Sequence, residues 1–137
     1  MIAGYSGTPL PRKLGIKTGH VVGTFDAPGG FVDTLGELPD TVRFLPDPGP
    51  DEELDVAVAF VTDEAVLRDA FSGWKGRIRK DGGLWIAWPK KSSPLATDLR
   101  ESHVRATGLE SGLVDNKICA IDADWSGLRF VYRREDR

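Results

Sequence analysis

The sequence predicts one α/β domain in which a mostly parallel sheet of about six strands ends in an antiparallel hairpin. Three observations carry this. Apolar runs of strand length alternate with segments of helical spacing, the run Asp55 to Val61 is apolar on both faces, and the last two strand patterns are joined by a connection too short for a crossover. A length of 137 residues suits a single domain, 1–137, with one core. Apolar residues at 40 % and charged residues at 28 % argue against disorder and against a fibrous repeat.

The chain opens on Thr8-Pro9-Leu10-Pro11-Arg12-Lys13-Leu14-Gly15, where a capping residue, a first-turn proline, two leucines four apart and a final glycine predict a short helix. His20 to Phe25 reads as the first strand, and Asp26-Ala27-Pro28-Gly29-Gly30 as its turn. Phe31, Val32, Leu35 and Leu38 follow helical spacing until Pro39, and Val42 to Leu45 reads as the second strand. Residues 46–53 hold three prolines and four carboxylates and predict a solvated, mobile loop. Asp55 to Val61 is expected to be the central strand. Thr62 is placed to cap the next helix, whose apolar face runs Leu67, Ala70, Phe71, Trp74 and Ile78.

Asp81-Gly82-Gly83 predicts a turn into the strand Leu84 to Trp88, which Pro89 stops. Asp98 and Glu101 have the spacing of a capping box, and Gly108 is placed to end the helix between them. Asn116 to Ile121 and Leu128 to Tyr132 then form the hairpin around Asp122 to Gly127, and the charged tail 133–137 is expected to fray. Trp85 and Trp88, three apart, point to opposite faces. Trp74 belongs to the core, and Trp125 in the hairpin turn is the tryptophan expected at the surface.

Composition narrows the functional classes. The apolar runs fall far short of the roughly 20 residues a bilayer span requires, and residues 1–15 lack a signal-peptide core, so no membrane and a cytoplasmic location are expected. The single cysteine, Cys119, lies in a strand pattern and reads as a small buried hydrophobe. A net charge of −3 gives no general attraction to nucleic acid, which is therefore not the expected partner. Oligomeric state is left open.

This order of elements resembles the class I methyltransferase variant of the Rossmann fold with one β-α unit fewer. Tyr5 to Leu10, Lys13 to Ile16, Leu84 to Lys91 and Trp125 to Phe130 are similar to signature stretches of a bacterial family catalogued as domain of unknown function 3052. That resemblance implies the layout and carries no activity. Ala27-Pro28-Gly29-Gly30 also looks like the cofactor loop of RNA 2′-O-methyltransferases, whose lysine-aspartate-lysine-glutamate set is incomplete here: Lys13 and Lys90 fall in suitable elements, but Thr62-Asp63 and Ser126-Gly127-Leu128 do not supply the remaining pair.

Two segments are candidates for ligand binding. Asp26, Gly29 and Gly30 form the first strand-to-helix turn, where glycines let backbone approach a ligand, against the plainer reading of a tight turn. Lys90, Lys91, Ser92 and Ser93 leave a buried strand at the ligand end of such a sheet and join two cations to two hydroxyls, a combination that suits an anion. The carboxylate that holds cofactor ribose at the end of the second strand is replaced by Leu45-Pro46, with Asp47 two residues late. Asp122-Ala123-Asp124 is expected to satisfy turn amides, Tyr5 to Thr8 to cap the first helix, and His20 and His103 to be ordinary surface or packing residues. No catalytic residue and no metal is assigned. The leading expectation is a degenerate, non-catalytic methyltransferase-like domain that binds a small anionic ligand or a protein partner. The alternatives are an S-adenosylmethionine-dependent methyltransferase and a structural or regulatory interaction module.

Overall fold

The structure, a computed structural model, describes residues 7–137. Strands β1 (Val21–Phe25), β2 (Arg43–Pro46), β3 (Leu54–Phe60) and β4 (Ile78–Pro89) are mutually parallel. Strand β5 (Leu113–Ala120) and β6 (Trp125–Tyr132) form the closing hairpin, with β6 inserted antiparallel beside β4, so that the order is β2-β1-β3-β4-β6-β5. This is the expected α/β layout.

The pleat divides the core in two. Helices α1 (Leu10–Lys13) and α2 (Phe31–Leu35) bury Leu10, Leu14, Phe31 and Leu35 against Val56, Val58, Trp85 and Trp125 on one face. Helices α3 (Glu64–Lys75) and α4 (Glu101–Glu110) bury Leu67, Phe71, Trp74 and Val104 against Leu84, Ile86, Leu128 and Phe130 on the other. Trp85 and Trp88 point to opposite faces as their spacing requires. Because α1 has only one turn, its position depends on packing and on the fully buried Trp85, whose Nε1–H donates to the Leu14 carbonyl at 3.0 Å. Trp85→Phe removes that donor and leaves a buried carbonyl unpaired. The expected loss is about 2 kcal/mol, read from urea unfolding.

Several boundaries differ from expectation, each for a local reason. Thr8 is not the cap of α1, which begins after Pro9 with no side-chain cap, while Tyr5 and Ser6 lie outside the described residues. Gly36, at φ 75, ends α2 before Leu38 and Pro39 are reached. Asp63 rather than Thr62 caps α3 by accepting from the Ala65 amide at 2.7 Å. Ile78 leaves the helix and starts β4, which continues through Asp81-Gly82-Gly83 as a strand but with a break in register against β3, Leu54 pairing with Ile78 and Val56 with Gly83. The two glycines there serve close approach. A Cβ on Gly82 would lie 2.8 Å from the Asp55 carbonyl, and one on Gly83 2.8 Å from the Arg129 guanidinium carbon.

Helix α4 starts after Arg100, whose amide donates to His103 Nδ1 at 3.0 Å, two residues beyond the expected Asp98 cap. Gly108 lies inside that helix under Phe130, and Gly112, at φ 91, makes the exit. Trp125 is buried, only 7 % exposed, and meets Phe60 edge-on at 5.1 Å. The hairpin turn is tighter than expected because Asp122 Oδ1 accepts from the amides of Asp124 and Trp125, which places Trp125 in β6 opposite Pro89. Asp122 thus satisfies turn amides as expected.

The connection between β2 and β3 carries no helix. Residues 47–53 reach at most about 25 Å when extended. They cross β1 as a strap whose Pro48 sits over Gly23; a Cβ on Gly23 would stand 3.1 Å from Pro48 and 2.7 Å from Leu54. The Arg77 guanidinium donates to the Pro48 and Gly49 carbonyls and covers the Phe25 ring. The loop is largely exposed, as expected, and the Pro48 and Arg77 contacts hold it against the sheet face.

Candidate functional site

In an open α/β sheet, ligands bind beyond the carboxyl ends of the strands where the strand order reverses. Here β2 lies on one side of β1 and β3 on the other, so the crevice opens above Phe25, Pro46 and Phe60. Two aspartates guard it. Asp26 follows β1 at φ 55 and Asp47 follows β2 at φ 44, left-handed conformations that cost on the order of 1–2 kcal/mol for residues with a Cβ. They support each other: the Asp26 amide donates to Asp47 Oδ1 at 3.1 Å, and the Asp47 amide donates to the Thr24 carbonyl at 2.8 Å. Both carboxylates are exposed at the strand ends. Asp47, late by two residues in the sequence, is brought to the mouth because β2 extends through Pro46.

Gly29 and Gly30 complete this corner. Neither has a positive φ, and a Cβ on either would meet nothing within 4 Å. The fold itself needs no glycine at these positions, either for conformation or for packing. Their amides make no hydrogen bond among the described residues, whereas the Phe31 amide bonds back to Pro28. The loop therefore presents unpaired donors, open space and two carboxylates together. Those groups fit a ligand that carries both hydroxyls and a charged amino-acid end.

The other candidate segment lies past β4, two strands from β1 with β3 between them, or roughly 10 Å along the sheet edge. Ser93 is buried, and its hydroxyl is committed, donating to Asp124 Oδ1 at 2.8 Å and accepting from the Leu95 amide at 3.0 Å. The Lys90 amide bonds the Asp124 carbonyl at 2.8 Å. Ser93 and Lys90 thus anchor the loop to the hairpin, while Lys91 and Ser92 are exposed. Asp26, Gly29 and Gly30 come together, and the lysine-serine segment forms a separate rim.

Between these segments, Thr62, Asp63, Glu64, Thr97, Asp98 and Leu99 line a cavity of about 510 Å³ at the carboxyl end of β3. Thr97 Oγ1 donates to the Thr62 carbonyl at 2.7 Å and closes its wall. Sequence reasoning missed Asp98 as a lining residue because its spacing to Glu101 suggested a helix cap. Elsewhere, His20 Nδ1 accepts from the Lys17 amide at 3.1 Å, so both histidines serve local backbone turns. Burial pushes the Cys119 thiol above its usual range against the opposing charges of Lys13, Lys117 and Lys90, which makes it a poor nucleophile at neutral pH. Among the described residues no three His, Cys, Asp or Glu side chains are grouped to hold a metal ion, and no helix is long and apolar enough to cross a membrane.

No protein-family model matches the chain, and no curated protein matches it. Solved structures do. The Methanococcus jannaschii fibrillarin pre-rRNA processing protein superposes with a TM-score of 0.62 at 14 % identity, over 91 % of this chain and 69 % of its own. Ribosomal protein L11 methylase from Lactobacillus delbrueckii subsp. bulgaricus gives 0.63 at 13 % identity, over 92 % and 75 %. A SAM-dependent methyltransferase from Aquifex aeolicus gives 0.61 at 16 % identity, over 87 % and 85 %. These likenesses correct the expectation of a degenerate, non-catalytic binding domain, since the neighbours include proteins described as a methylase and as a SAM-dependent methyltransferase. The expectation had rested on the incomplete lysine-aspartate-lysine-glutamate set of one subgroup and on Leu45-Pro46 standing where a ribose-binding carboxylate is usual, and neither deficit bears on the fold as a whole. The fold is that of the class I methyltransferases, with a six-stranded mixed sheet that is parallel except for its C-terminal antiparallel partner.

Proposed function

We propose that this chain is an S-adenosylmethionine-dependent methyltransferase that holds the methyl donor at the corner formed by Asp26, Gly29, Gly30 and Asp47. The observation that carries the reading is the pair of glycines that neither backbone conformation nor packing requires. Their use is close approach by a group from outside the chain. Asp47 accepts hydrogen bonds from the ribose hydroxyls of the donor, and the unpaired amides of Gly29 and Gly30 receive its carboxylate. When bound, the donor supplies a methyl group on a sulfonium for attack by a nucleophile of the acceptor. The chain's part is to orient that attack and exclude water. Lys91 and Ser92, with the Lys90 side chain, form a cationic rim for an anionic group of the acceptor. A cytoplasmic location and membership of the bacterial family resembled by the signature stretches belong to the same proposal.

Titration calorimetry with S-adenosylmethionine and its demethylated product tests it. Both are expected to bind, and absence of binding by both overturns the reading. Gly29→Val and Gly30→Val sharpen the test. A Cβ at either position meets nothing within 4 Å, so stability should fall by no more than about 1 kcal/mol, chiefly through the poorer cap that valine gives α2 at position 30, while donor affinity should fall at least tenfold.

A further inference from the structure

The sheet has a second cavity, away from the methyl-donor corner. About 420 Å³ in volume, it lies toward the amino ends of the parallel strands on the α1 side, lined by Lys13, Lys17, His20, Asp55, Asp81, Lys117 and Arg129, with Gly15, Val56 and Asn116. Arg129 is its unusual member. The side chain is half-buried on β6, its Nε is fully enclosed, and its guanidinium makes no hydrogen bond or ion pair among the described residues. Burial, with Arg137 nearby, lowers its affinity for a proton below the ordinary guanidinium range. Directly across the ladder on the same face stands a second cationic residue, Lys117, whose Nζ donates to the Lys13 carbonyl at 2.7 Å. Gly83 is what admits the guanidinium at all. A half-buried guanidinium with an enclosed, unpartnered Nε and a second cation across the ladder is stabilised when an anion joins them.

The lining carboxylates do not fill that role. Asp55 is engaged by the Val21 amide at 2.7 Å and by Arg79 at 3.4 Å, and Asp81 is exposed and forms no ion pair with Arg129. Four lining cations against two carboxylates leave an excess of two positive charges, which matches a phosphate monoester dianion. The volume exceeds what phosphate alone occupies and lies within the range of small-molecule sites, and Asp81 at the mouth suits hydroxyls. We propose that this cavity binds a small phosphorylated metabolite, with Arg129 and Lys117 gripping the phosphate and Asp81 a sugar hydroxyl. The site lies outside the corner proposed for the methyl donor and stands whether or not that donor binds.

The test is calorimetry at pH 8 with ribose 5-phosphate, inorganic phosphate, ribose and dimethyl phosphate. Ribose 5-phosphate is expected to bind, ribose not at all, inorganic phosphate more weakly, and dimethyl phosphate at least tenfold more weakly. Arg129→Gln should lose at least tenfold in ribose 5-phosphate affinity and, in phosphate-free buffer, melt no lower than the parent, because an unpaired charge is removed. Lys80→Gln, whose side chain lies over Tyr132 on the opposite face, should bind as the parent does. Absence of binding by both ribose 5-phosphate and inorganic phosphate overturns the proposal, as does undiminished binding by Arg129→Gln. A lower melting temperature for that variant would make Arg129 a support of the fold and also sink it. Equal binding of dimethyl phosphate would replace the metabolite with a nucleic-acid backbone.

Discussion

Gly108→Ala should destabilise the protein by about 3 kcal/mol, although alanine is the better helix former by about 1 kcal/mol. The two effects oppose each other, and packing wins. Gly108 sits in the interior of α4, and a Cβ there would collide with Cε1, Cδ1 and Cζ of the Phe130 ring. That ring has nowhere to retreat. It is fully buried and meets Phe71 edge-on at 5.5 Å, so relief requires moving α4 off the sheet or displacing the α3 contact as well. Urea unfolding should show a lower midpoint with an unchanged slope. A stability equal to or above that of the parent would mean that α4 does not pack as described.

Asp47→Ala should weaken S-adenosylmethionine binding about 10- to 100-fold, the equivalent of hydrogen bonds to one charged group. Two losses combine in this variant. The carboxylate no longer accepts ribose hydroxyls, and the Asp26 amide loses its 3.1 Å acceptor, which loosens the turn leading to Gly29 and Gly30. Asp47→Asn separates them, since its side-chain oxygen still receives the Asp26 amide while the negative charge is gone. Affinity for Asp47→Asn should therefore fall between the other two. If Asp47→Ala binds the donor as the parent does, the ribose assignment is wrong even where the donor binds elsewhere.

Strand identity was legible because it rests on short apolar runs. Asp55 to Val61 could be read as a doubly covered strand, and it became β3 with both faces packed. The closing antiparallel hairpin followed from its short connection, whereas the order of the strands, with β6 rather than β5 beside β4, was not read from the sequence. Glycine function was not legible, because the letter does not say which demand it answers. Gly82 and Gly83 suggested a turn but serve close approach inside β4, and Gly108 suggested a helix end but yields to Phe130. Gly36 and Gly112 do take the positive φ that ends a helix, at places the pattern did not mark. Trp125 was misplaced because the turn tightens around the Asp122 carboxylate, a side-chain contact that spacing does not encode. At the site, Asp26, Gly29 and Gly30 were legible as a turn. The link between Asp26 and Asp47 was not, since it joins the ends of two strands 21 residues apart.

The strap between β2 and β3 bears on how the chain reaches its fold. Parallel neighbours usually wait for a crossover of a dozen or more residues to close, and folding slows as contacting residues lie further apart in sequence. Here residues 47–53 bridge the two outer strands of the β2-β1-β3 group with no helix to form first. The group is one uninterrupted stretch of chain whose pairings close over α2 with its turns and over the strap alone. It has the character of a local assembly unit. The pairing of Leu84 with Phe130, which spans most of the second half of the sequence, then has a ready-made edge to add to.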